Sequence, residues 1–294
     1  MAILTGINTK LRGSAGNWTF SRLKGQTIAK EKVEKKATPV RTLPQMLRRV
    51  RWANLVNLYR SFNGTLHPSF EGKDPKLSDY NMFMQANLNS SNVALTKTIA
   101  DQSGCVVDAY QITRGQLPSI VVDFGNANVP ETDIAVGTLA LGNSTTLAAF
   151  SAAIIDNNDG WRNGDQLSAF IIRQYMNATT NVPYCSTDAV EVTLDTSATT
   201  TLLKDVMDIS LFNVVDDCLG LSGPVNGGVA FVHSRKVNGK TIVSTQFITV
   251  SNTYLANYNT NAAFDAAIES YGGINKEEFL TPNLDDDLYP NVTP

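Results

Sequence analysis

The chain has 294 residues, 43% of them hydrophobic, which supplies a real core and excludes an intrinsically disordered protein. Only 17% are charged, below the usual quarter, and the formal net charge is −3. That balance hides a division: residues 1–60 hold 13 Lys and Arg against two acids, Glu31 and Glu34, for a net +11, whereas residues 61–294 carry a net −14. A basic arm on an acidic body implies an acidic partner, either nucleic acid or the body of a neighbouring copy.

The first element lies in GNWTFSRLKGQTIAKEKVEKK, residues 16–36. Trp18 and Phe20 alternate with Thr19 and Ser21, Gly25 supplies a turn, and TIAKEKV resumes the alternation. The pattern predicts a β-hairpin with Trp18 and Phe20 on one face and Arg22, Lys24, Lys30 and Lys32 on the rim. A two-stranded hairpin is marginal in water, so this one needs its own body or another subunit to pack on.

Pro39 and Pro44 mark an extended linker, and Thr42 is an N-cap with Pro44 in the permitted first turn. Leu47, Val50, Leu55, Leu58, Tyr59 and Phe62 then form an apolar stripe at helical spacing, ending near Asn63-Gly64. Arg48, Arg49, Arg51 and Arg60 cluster on this helix. Ser78-Asp79 opens a second helix with Tyr80, Phe83, Met84 and Leu88 on its apolar side.

From about Ala100 the chain breaks into short β-branched runs separated by Gly, Pro, Asn and Asp: CVVDAYQIT, SIVVDF, AVGTLAL, QLSAFIIRQY, AVEVTLDT, GGVAFVHSRKV and TIVSTQFITVS. Asn238-Gly239 between two of them is the strongest hairpin signal. Residues 263–270 form a short helix or turn, and 275–294, with Asp285–Asp287 and three prolines, an acidic extended tail. The expected fold is α+β, mainly β: an N-terminal β-hairpin arm and two helices, then an antiparallel β-sandwich, immunoglobulin-like or jelly-roll-like. Its expected parts are a basic arm at 1–40, a helical segment at 41–98, the sandwich at 99–274 and the tail.

No catalytic or metal signature emerges, and no enzyme activity or cofactor is expected. Cys105, Cys185 and Cys218 form no CxxC or Cys/His cluster, so neither a disulfide framework nor zinc is indicated, and reduced intracellular thiols are expected. His67 and His233 are isolated and read as surface or packing histidines. DNNDGWRNGDQ, residues 156–166, fails the EF-hand template because Trp161 stands where glycine is required, so it reads as turns. GLSGPVNGGV, residues 220–229, lacks the Lys-Ser/Thr of a phosphate loop and reads as a loop between strands. Asp216-Asp217 and Asp156 with Asp159 are acidic pairs without further support as glycosidase carboxylates. No apolar segment marks a signal peptide or a membrane span.

The segments GNWTFSRLKGQTIAKEKV, TPVRTLPQMLRRVRWANLVNLYR and LSDYNMFMQANL resemble a family of uncharacterised proteins from Bacteroidetes and their phages. The resemblance spans residues 13–88 and rests on Gly16, Trp18, Arg22, Lys24, Gly25, Thr38, Pro39, Gln45, Asp79, Tyr80 and Asn81. Beyond that, the strand runs match the family's C-terminal immunoglobulin-like sandwich only in style. The β region looks expanded between about 125 and 165, and the acidic tail is additional. Such genes occur in tailed phages of gut bacteria, including crAss-like phages. The resemblance implies a virion protein made in the host cytoplasm, a ring or collar subunit of the tail or neck. Its partners would be copies of itself and other virion proteins: portal, adjacent rings or capsid. The family supplies no catalytic residues. The residues expected to carry assembly are Trp18, Phe20, Arg22, Lys24, Lys30, Lys32, Arg48, Arg49 and Arg51. A capsid or head-decoration protein, and a DNA-binding accessory protein, are the alternatives.

Overall fold

The computed structural model describes residues 2–4, 12–23, 26–32, 42–62, 64–66, 69–74 and 76–272. These fall into two compact units, Met1–Arg41 with Asp74–Lys76, and Thr42–Lys73 with Leu77–Pro294. Lys24, His67 and the acidic segment 275–294 lie outside the described residues.

The first unit is an antiparallel sheet of β1 (Ala2–Leu4), β2 (Gly13–Ala15), β3 (Trp18–Leu23) and β4 (Gln26–Glu31), in the order β1-β4-β3-β2. The expected hairpin is β3–β4, with Trp18 opposite Glu31 and Leu23 opposite Gln26. It is the middle of a wider sheet, because β1 adds to β4 and β2 to β3. Gly16, at φ +55°, supplies the left-handed turn between β2 and β3. Thr27, Ile28 and Ala29 on β4 are buried, whereas β2 is exposed throughout.

The second unit opens with α1 (Leu43–Ser61), where the Thr42 amide donates to the Gln45 side-chain oxygen at 3.3 Å and Pro44 sits in the first turn. Two buried amides interrupt its apolar stripe. Asn54 Nδ2 donates to the Val106 carbonyl at 3.0 Å and its Oδ1 accepts from the Val106 amide at 2.8 Å. Asn57 Nδ2 donates to the Gly104 carbonyl at 2.8 Å. These bonds satisfy a buried segment that no strand ladder reaches. Next come α2 (Asp79–Asn87), capped by the Ser78 hydroxyl accepting from the Asn81 amide at 3.2 Å, and α3 (Lys97–Asp101). The chain continues through β5 (Gln111–Thr113), β6 (Val122–Phe124), β7 (Pro130–Ala135), α4 (Leu147–Asn157), β8 (Gln166–Met176), β9 (Pro183–Thr193), β10 (Phe212–Val215), β11 (Cys218–Leu221), β12 (Gly227–Val237), β13 (Lys240–Val243), β14 (Gln246–Phe247), β15 (Thr249–Ser251) and α5 (Asn261–Gly272).

The central layer is the antiparallel sheet β13-β12-β8-β9, with β15 also pairing with β12. Strand alternation sends successive side chains to opposite faces. On one face Leu167, Ala169, Ile171, Val229 and Phe231 pack with Ile134, Phe212, Leu219 and Leu221 of the sheet β10-β11-β7-β6, and with Leu147, Phe150 and Ile154 of α4. This is the expected antiparallel sandwich. On the other face Phe170, Ile172, Ala230 and Val232 pack with Leu55, Leu58 and Phe62 of α1 and Phe83 and Met84 of α2. The N-terminal half of α1 also packs on Phe264, Ala267 and Ile268 of α5. Residues 42–73 and 77–98 therefore share one core and one compact unit with the sandwich.

Four details depart from the expected elements. The region 125–165 is not simply expanded β structure: it contains α4, with buried Leu147, Phe150, Ser151 and Ile154 at helical spacing and Thr146 capping the Ala149 amide at 3.2 Å. AVGTLAL does not form a strand; β7 ends at Ala135, and the following residues are turns and irregular chain. Asp216 and Asp217, both at positive φ, are the turn of the hairpin β10–β11. Asn238-Gly239 turns β12 into β13 as expected, with Val237 opposite Lys240. The loop read at 220–229 is shorter than expected, because Gly220 and Leu221 belong to β11 and Gly227–Val229 to β12.

At Gly227 β12 closes against β8. A Cβ there would stand 2.0 Å from the Ile172 carbonyl oxygen. Gly227→Ala is expected to cost about 3 kcal/mol or more, since relief requires separating two central strands. Urea unfolding measures the loss.

Candidate assembly interface

The residues expected to carry assembly fall in both units. On β3, Trp18 and Phe20 are two apart and share a face. Their cross-strand neighbours are small: Ala15 beside Trp18, and Gly13 and Ala29 beside Phe20. Trp18 is 49% exposed and Phe20 is half-buried. Glu31 also stands opposite Trp18, and Lys30 and Lys32 are exposed. Arg22 lies in β3 opposite Thr27.

In the second unit Arg48 is exposed on α1. Arg49 and Arg51 turn toward α5: the Arg49 guanidinium lies 5.2 Å from the centre of the Tyr271 ring, and that of Arg51 5.8 Å from Phe264. Arg51 also donates to the Asn89 carbonyl at 3.4 Å. Each thus meets an aromatic face of its own unit, while Arg49 stays exposed. Exposed aromatics that the sequence reading did not single out stand at one end of the β8–β9 pair. Tyr175 and Tyr184 face each other across the strands and stack with centroids 5.4 Å apart.

Beneath the opposite end of β8 lies a buried polar cluster. The loop after α4 turns at Gly160 and Gly164, both at positive φ, and delivers Trp161 and Asp165. The Asp165 carboxylate is 1% exposed. Its Oδ2 lies 2.8 Å from His233 Nε2 and accepts from the Arg162 amide at 2.9 Å. Arg235 grips both oxygens: Nε donates to Oδ1 at 2.6 Å and a terminal nitrogen to Oδ2 at 2.6 Å. The same guanidinium donates to the Gly160 carbonyl, and the Trp161 ring stacks on the imidazole at 3.8 Å, tilted 9°. Burial pushes the Asp165 carboxyl up, but hydrogen bonds from Arg235, His233 and the Arg162 amide outweigh it and hold the pKa at about 2.

His233 is thus the packing histidine expected, with a carboxylate partner that was not foreseen. It is 2% exposed, and among the described residues no serine hydroxyl bonds its ring. The cluster clamps the α4–β8 loop onto β12. His233 and Arg235 follow the apolar Val229 and Phe231 on one face of β12, a pattern that favours a polar partner but does not name Asp165.

The cysteines make a second arrangement that spacing does not reveal. The Cys105 amide donates to the Pro183 carbonyl at 2.9 Å, and Cys185 Sγ lies 3.5 Å from the Cys105 carbonyl oxygen. A hydrogen bond with the Cys105 thiol, followed by burial, pushes the Cys185 thiol up.

Among the described residues no group of three or more His, Cys, Asp or Glu is placed to hold a metal ion, and no helix is long and apolar enough to cross a membrane. No protein-family model, curated protein or solved structure matches this chain.

Proposed function

We propose that the chain is a structural subunit that assembles by docking its N-terminal sheet on a neighbouring copy. On the resemblance of residues 13–88, we further propose that the assembly is a ring of the tail or neck of a tailed phage. One observation carries the assembly reading: Trp18 and Phe20 form an aromatic ridge over Gly13, Ala15 and Ala29, in a unit too small to bury it. A sheet of some forty residues rarely sustains a core without help. Exposed aromatics flanked by charge are the usual anchors of protein interfaces.

Charge supports the same reading. Residues 1–41 hold nine Lys and Arg against two acids, a net +7, and the remainder carries −10, so one copy's arm complements the next copy's body. Repeated head to tail, such a contact closes into a ring. A capsid or head-decoration role would use the same contact and differ only in what surrounds it. Sedimentation velocity from about 1 µM to about 100 µM tests the proposal over the range of ordinary subunit affinities. A discrete oligomer is expected; a monomer at every concentration would overturn it.

A further inference from the structure

The sheet β13-β12-β8-β9 has a second open feature, independent of how copies assemble. Its helix-covered face is not covered along its whole length, because α1 stops at Ser61. Beyond that point the face becomes polar. Glu191 stands opposite Ser168, Thr193 opposite Gln166, Gln166 opposite Ser234, and Lys236 opposite Thr241. These rows line a cavity of about 350 Å³, together with the apolar Phe170, Val232 and Leu66.

The polar groups here bond little within the protein: Glu191, Thr193 and Lys236 are exposed, Ser234 and Thr241 half-buried, and Ser168 buried. Among the described residues the hydroxyls of Thr193, Ser234 and Thr241 make no hydrogen bond, and the Glu191 carboxylate and Lys236 ammonium make neither hydrogen bond nor ion pair. Ser168 is 7% exposed, and its hydroxyl meets only Gln166 Nε2, at a long 3.5 Å. Buried hydroxyls elsewhere in this unit do find a close acceptor. Thr113 donates to the Ser244 carbonyl at 2.7 Å, and Ser151 to Leu147 at 2.7 Å. A concave, hydroxyl-lined surface whose hydrogen-bonding capacity is unused inside the molecule has that capacity for a ligand.

We propose that this groove binds a neutral polyhydroxylated ligand, one or two sugar rings in size. Three features select that class. Hydroxyls and the Gln166 amide both donate and accept, which matches a partner that does the same. Glu191 on β9 is in register with Val232 of β12, and Lys236 lies four residues further along, so the two charges stand roughly 16 Å apart at opposite ends of the groove, while Arg235, also in the lining, is already paired with Asp165. An anion would meet Glu191 and a cation Lys236, whereas an uncharged ligand offers hydroxyls to both. The volume stands at the small end of ligand cavities. Phe170 is 3% exposed and presents no open ring for stacking, so the binding is weak, with a dissociation constant on the order of millimolar.

Saturation-transfer NMR on the full-length protein tests this, with maltose, cellobiose, lactose and trehalose each at about 10 mM, well above the expected constant. At least one disaccharide should give a transfer signal. Ser234→Leu and Gln166→Leu, which fill the groove, should each cut it about tenfold or more while thermal unfolding shows the variants folded. No signal from any sugar overturns the proposal, as does a signal that survives both substitutions. An N-acetylated tripeptide run in parallel separates the other ligand class: a signal from the peptide and none from the sugars would assign the groove to extended peptides and also overturn it.

Discussion

Asp165→Ala is expected to lower stability by about 3–5 kcal/mol, the loss that follows when one partner of a buried ion pair is removed. The carboxylate is the only anion bonded to Arg235 and His233 among the described residues. Without it a guanidinium and an imidazole face each other beneath Trp161, and the α4–β8 loop loses its tie to β12. Replacing all three together, Asp165→Leu with His233→Leu and Arg235→Met, should cost less than the single change, because no uncompensated charge remains. Urea unfolding of the two variants decides this. A loss below about 1 kcal/mol for Asp165→Ala would place the cluster among weakly coupled surface pairs.

The same group sets an acid limit. Its folded pKa of about 2 lies below the usual 3.8. A carboxyl depressed in this way contributes stability that is complete above about pH 4 and lost as the pH falls toward 2, amounting to about 2 kcal/mol. Asp165→Ala should remove that dependence between pH 4 and 2, and unfolding free energies measured across the interval would show it.

The second large effect concerns the arm. Trp18→Ala combined with Phe20→Ala is expected to weaken self-association about a thousandfold, since interface anchors of this kind are worth about 2 kcal/mol each or more. Both side chains stand over small neighbours rather than in a core, so the second unit should unfold unchanged. Lys30→Glu with Lys32→Glu should act differently. It should weaken association at low salt and leave it nearly unaltered at high salt, where exposed charges are screened.

Which elements can be read from the residues, and which cannot, follows from the range of the interactions behind them. The hairpin β3–β4, the Thr42 and Ser78 caps and the Asn238-Gly239 turn depend on neighbours within a few positions, and each stands where its residues place it. The helix α4 was also within local reach, through Thr146 and the spacing of Leu147, Phe150 and Ile154, but small residues in LAAFSAAIIDN blur its apolar stripe among β runs. β10–β11 was obscured because Asp216-Asp217 invites a chemical reading before a conformational one. The buried cluster was beyond local reach. Asp165 and His233 are 68 positions apart, and only the pairing of β8 with β12 brings them together. The groove likewise exists only once β9, β8, β12 and β13 align Thr193, Gln166, Ser234 and Thr241 on one face. The contacts of Arg49 and Arg51 with α5 aromatics were likewise beyond local reach, because those rings lie more than 200 positions away.

The most direct test of the assembly proposal is mass photometry of the full chain and of Trp18→Ala/Phe20→Ala, from about 0.05 M to about 1 M salt. The proposal predicts a discrete oligomer for the native chain that loosens as salt rises, and a monomer for the variant throughout. An unchanged mass distribution in the variant would contradict it, and a native chain that stays monomeric but binds duplex DNA with a steep salt dependence would transfer the arm to nucleic acid.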